Sequence, residues 1–94
     1  MDYSQMTNDE KMDALSNDAT AGEKAELERE YRVAGGIFKK VSRGYSELAV
    51  EYPDSGAFLA GMSFLHAAKA FRMSYSAGEQ ERTSPADLNR TQPR

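Results

Sequence analysis

Between Leu27 and Tyr52 the apolar side chains recur at steps of four and three residues: Leu27, Tyr31, Ala34, Phe38, Val41, Tyr45, Leu48 and Tyr52. That spacing puts them on one stripe and predicts a long amphipathic helix. Thr20 with Glu23 is a capping-box pattern that would open the helix near residue 21, and Glu23, Glu26 and Glu28 would lie near the positive end of its dipole. Pro53 closes it near residue 52, because the residue before a proline is pushed out of the α region. Such a helix, over about residues 21–52, would be on the order of 48 Å long. Its weak point is the pair Gly35 and Gly36, where each glycine costs about 1 kcal/mol relative to alanine and where a bend or a close contact is expected. Gly44 weakens it further.

Pro53, Asp54, Ser55 and Gly56 form a tight turn with two candidate N-caps, Asp54 and Ser55. A second helix over about residues 56–77 follows, with Gly78 placed to end it from the C′ position. A connection this short makes the two helices an antiparallel hairpin. The expected fold is therefore all-α. A separate capping box, Thr7 with Glu10, predicts a short N-terminal helix over about residues 8–16. The reading divides the chain into an acidic arm (1–20), a hairpin (21–77) and a flexible polar tail (78–94), since only Ala86 and Leu88 of the tail's last stretch are apolar enough to bury.

The second helix of the hairpin is apolar nearly all round. One stripe, Ala57, Gly61, Phe64, Ala68, Phe71 and Tyr75, repeats the four-three spacing and is expected to pack on the Leu27–Tyr52 seam. A less pure stripe, Leu59, Met62, His66, Lys69 and Met73, is then left as a second contact surface, with Phe58 and Leu65 on a flank. Leu59, Met62, His66, Met73, Phe58 and Leu65 are the expected partner interface. Either the N-terminal segment folds back over that surface to make a three-helix monomer, or another chain covers it, and a hairpin left half exposed pairs readily with its own copy into a four-helix bundle. The expected partner is a protein, either a second copy in a homodimer or a different chain in a hetero-complex.

Charge is segregated along the 94 residues. Residues 1–30 carry nine acids against three bases, and residues 31–75 carry six bases against three acids. An acidic arm before a basic body suggests self-complementary contacts. Arg29, Arg32, Lys39, Lys40 and Arg43 would share the face opposite the apolar seam of an unbroken helix. A nucleic-acid-binding regulator would use that basic stripe, but no aromatics are interleaved with it to stack on bases. Nucleic acid is therefore the disfavoured partner.

The residues hold little chemistry. Without cysteine there is no thiolate nucleophile and no sulfur-ligated metal site. The one histidine, His66, has no acid one turn away, and the pairs Glu26 with Glu30 and Glu47 with Glu51 lack the Glu-x-x-His step of a carboxylate-bridged metal bundle. Gly35 and Gly36 have neither the preceding strand nor the following lysine of a phosphate loop. The expectation is a non-enzymatic protein with no cofactor. The longest apolar stretch, residues 56–68, falls short of the roughly 20 residues of a membrane span, and residues 1–8 show no secretory leader pattern. The sequence reads as soluble and cytoplasmic, with no membrane partner.

Three partial resemblances bear on function. The turn from Tyr52 through Met62 resembles the inter-repeat turn of tetratricopeptide proteins, although 94 residues do not hold three 34-residue repeats. The same turn is similar to the loop of type III secretion needle subunits, from which the polar tail departs. Tyr75 with Glu79 resembles the Tyr-x-x-x-acid export signal of small type VII secretion proteins, whose Trp-x-Gly turn is missing from a chain without tryptophan. These imply a third role, a secreted helical-hairpin or filament subunit. The leading expectation is an interaction module of the adaptor, assembly-chaperone or inhibitor type.

Overall fold

A computed structural model describes residues 5–82; the sequence-predicted tail beyond residue 82 lies outside the described residues. The described chain contains three α-helices, α1 (Asn8–Leu27), α2 (Tyr31–Glu51) and α3 (Gly56–Arg82), with a 3-10 turn at Pro53–Ser55 joining α2 to α3. No strand occurs among the described residues. The fold is all-α, with α2 and α3 forming the expected antiparallel hairpin and α1 packing along α2.

The first capping box forms as the sequence predicts. The Glu10 backbone N–H donates to the Thr7 hydroxyl at 3.3 Å, and the Thr7 N–H donates to the Glu10 carboxylate at 2.9 Å. The Thr7 backbone N–H first, and then the Thr7 hydroxyl beside it, hold the Glu10 carboxyl below its ordinary pKa. The second box does not form. Thr20 lies inside α1 and donates its hydroxyl back to the Ser16 carbonyl at 3.1 Å, so the helix expected over residues 8–16 continues to Leu27. Leu15, Gly22 and Ala25 explain the extension, because they bury one face of α1 against the hairpin.

The break between helices falls at residues 28–30, and Gly35 and Gly36 lie within an unbroken α2. Arg29 adopts a left-handed φ of 61°. Its N–H donates to the Glu26 carbonyl (3.0 Å) while the Glu30 N–H donates to the Ala25 carbonyl (2.9 Å), the paired bonds of a Schellman motif. The long helix of residues 21–52 is thus two helices folded back on each other. Leu27, the first member of the apolar seam, is left 85% exposed, and the buried seam is Ala34, Phe38, Val41, Tyr45 and Leu48. Gly78 likewise lies inside α3, which runs five residues beyond the expected end at 77.

The core has two clusters. Leu15, Val41, Tyr45, Leu48 and Leu59 pack toward the Pro53 turn, and Ala25, Ala34, Phe38, Ala70 and Met73 pack toward the Arg29 turn. Two glycines permit the close approach of helices. A Cβ on Gly22 would lie 2.7 Å from the buried Phe38 ring, and one on Gly35 would lie 3.3 Å from the Met73 Cβ. The charge segregation resolves within the chain: Asp18 pairs with Lys40 (3.7 Å), Glu23 with Lys69 (3.6 Å) and Glu26 with Arg72 (3.3 Å). Each such surface pair contributes at most about 1 kcal/mol, so their effect is to select the docking side of α1 more than to hold it.

A non-glycine residue in the left-handed region costs roughly 1–2 kcal/mol. Arg29→Gly is expected to relieve part of that strain and raise unfolding stability by about 1 kcal/mol in urea titrations; unchanged or lower stability would show that the turn carries no strain.

Candidate functional site

The purer stripe of α3 faces outward, which reverses the sequence expectation. Leu59, His66, Ala70, Met73 and Ala77 are the buried residues of α3 and Met62 is half-buried among them, so four of the six residues expected at the partner interface lie inside the chain. Phe58 and Leu65 remain exposed, as expected of the flank. On the opposite face Phe64 is 76% exposed, Phe71 78% and Tyr75 65%.

Polar atoms explain the reversal. His66 and Lys69 mark their stripe as an outer one by composition, yet each has a partner inside the fold. The His66 Nδ1–H donates to the Met62 carbonyl at 2.8 Å, and the ring sits between Tyr45 (centroids 5.5 Å apart) and Phe38 (6.1 Å), linking the two core clusters. Lys69 lays its stem along the core and holds Nζ 5.4 Å from the Phe38 centroid and 3.6 Å from Glu23. A buried polar group with its hydrogen bond made carries little penalty. Among the described residues no buried side-chain nitrogen or oxygen lacks a partner.

Ser42 and Ser63 decide how α3 is turned. The Ser42 hydroxyl donates to the Ser63 carbonyl and the Ser63 hydroxyl to the Ser42 carbonyl, both at 2.8 Å, a reciprocal clasp between α2 and α3. With Ser63 facing α2 and Leu59, His66 and Met73 facing the core, helical geometry at about 100° per residue leaves Phe64, Phe71 and Tyr75 on the outer side. Ala57, Ala60, Gly61, Ala67 and Ala68 surround them, and all five are exposed. The result is an uncharged aromatic ridge between small residues. An open groove of about 450 Å³ borders it, lined on the α2 side by Tyr31, Arg32, Gly35, Gly36, Lys39 and Ser42 and on the α3 side by Ala67, Ala70, Phe71, Ser74 and Ala77.

The basic stripe is dispersed. Arg29 sits in the α1–α2 turn, where its carbonyl accepts a hydrogen bond from Gln80 at 3.1 Å, so it is not on α2. Arg32 pairs with Glu81, and Lys40 with Asp18. Lys39 and Arg43 are exposed. Among the described residues there is no group of three or more histidines, cysteines, aspartates or glutamates able to hold a metal ion, and no helix is long and apolar enough to cross a membrane. Comparison with protein-family models, curated proteins and solved structures finds no match to this chain.

The two faces of α3 are separable by mutation. Met73→Ala is expected to cost about 2–5 kcal/mol of stability, whereas Phe71→Ala in dilute protein should stay within about 0.5 kcal/mol of the parent; equal losses in denaturant titrations would contradict the assignment of faces. Burial also raises the Tyr45 phenol above the ordinary tyrosine pKa of about 10. The unfolded chain therefore loses that proton first as pH rises. The Tyr45 contribution is fully present below about pH 10 and is lost as pH climbs through the folded-state value. Tyr45→Phe should flatten that alkaline decline in melts taken across the range.

Proposed function

We propose that this chain is a non-enzymatic protein–protein interaction module that works through the outer face of α3. The observation that carries the reading is the exposure of Phe64, Phe71 and Tyr75 on one uncharged stripe of a helix whose opposite face is already buried. Covering a large apolar side chain contributes roughly 1.5–3 kcal/mol, and contiguous exposed apolar patches of several hundred Å² mark interaction surfaces. Aromatic rings are also the side chains that most often anchor such interfaces. The adaptor, assembly-chaperone and inhibitor roles all share this mode of action.

A nucleic-acid role draws less support. Two of its five candidate bases are engaged by acids of the same chain and a third lies in a turn. The exposed aromatics are on α3, whereas Lys39 and Arg43 are on α2.

A photo-activated benzophenone side chain at position 71, in the full chain expressed in its own cells, should yield a covalent protein adduct. The same group at position 47, on the exposed surface of α2, should not. Adding Phe64→Glu should abolish the adduct while leaving far-UV circular dichroism unchanged. A folded protein that yields no adduct from position 71 would overturn the reading.

A further inference from the structure

The ridge on α3 is complementary to itself. Phe64 and Phe71 lie at equal distances from a midpoint between Ala67 and Ala68, and turning the helix end for end brings Tyr75 level with Ala60 and Ala57 level with Gly78. A two-fold interface demands this relation, since residue i must accept residue j and j must accept i. Resting on the reading of this face as an interface, we propose that its occupant is a second copy of the chain, with the two α3 helices antiparallel about an axis between Ala67 and Ala68.

In that arrangement small residues meet at the axis and allow close helix approach. Each Phe64 ring lies beside the partner's Phe71 in reach of offset stacking, and each Tyr75 ring covers the partner's Ala60. The two hairpins then supply the four-helix layer expected from the sequence, with an α1 on the outside of each.

Charge selects the antiparallel sense. Along α3 from Ala57 to Tyr75 the two basic residues are Lys69, turned toward the Phe38 ring, and Arg72, held at 3.3 Å by Glu26 of its own chain. Antiparallel pairing sets the two Arg72 positions about nine residues apart along the axis, roughly 13 Å, beyond a Debye length of about 8–10 Å. Parallel pairing would set them level with each other.

Area favours it too. Phe64, Phe71 and Tyr75, with the exposed Ala57, Ala60, Gly61, Ala67 and Ala68 between them, offer on the order of 600 Å² per protomer, approaching the roughly 800 Å² per partner of a specific interface.

The chain contains no cysteine, so a single introduced one reports pairing cleanly. Under mild oxidation Ala68→Cys should form a disulfide-linked dimer, and Ala57→Cys, which antiparallel pairing holds roughly 30 Å from its mate, should not. Light scattering of the unmodified protein at micromolar concentration should give twice the chain mass, falling to the single-chain mass for Phe71→Glu with its helicity intact. Equal cross-linking at positions 57 and 68 would reject the antiparallel register. A single-chain mass with no Ala68→Cys dimer would reject the second copy. In that case an adduct from position 71 to a different protein would leave the interaction face standing, whereas no adduct would remove both.

Discussion

Three helices meet at the ring of Phe38, and the rest of the molecule is arranged around that meeting. The ring is fully buried on α2; α1 crosses it at Gly22, α3 supplies His66 beside it, and the Lys69 ammonium lies over it. Gly22 is what allows α1 to come so close. A methyl group there would have to displace an aromatic ring already packed on every side, at a cost of the order of 1–3 kcal/mol. That crossing holds α1 against the hairpin and so covers the side of the core that two helices alone would leave open.

Covering by α1 changes what α3 has to do. In a bare hairpin the face of α3 with the purest apolar spacing would be drawn inward. With α1 present, the core needs side chains that reach two helices at once, and His66 and Lys69 do so through atoms that are polar at the tip and apolar along the stem. The acids of α1 then meet the bases of α2 and α3, which accounts for the charge segregation along the chain without an external partner.

Much of the fold is legible in the sequence where a local chemical rule decides it. Thr7 with Glu10, the seam from Ala34 to Leu48, and the Pro53 turn follow from capping, periodicity and the stereochemistry of proline. The turn at Arg29 is not legible, because its left-handed residue is an arginine and the apolar steps run through it from Leu27 to Tyr31 without interruption. Gly35 and Gly36 admit either a bend or a close contact, and at Gly35 it is the contact that occurs, because α3 comes near there. The burial of Leu59, His66 and Met73, where the sequence suggests an open face, has a related cause. Polarity at His66 and Lys69 signals an outer face only if no partner waits inside, and the Met62 carbonyl and Glu23 carboxylate are visible only in three dimensions.

The reciprocal bonds between Ser42 and Ser63 have a mechanical meaning. Both bonds depend on the same alignment, so rolling α3 about its own axis or sliding it by one turn breaks the two together and leaves two half-buried hydroxyls unsatisfied. Intermediate orientations gain nothing in exchange. The clasp therefore favours one azimuth for α3, the one in which the aromatic ridge already faces solvent and docking on it needs no prior opening of the fold.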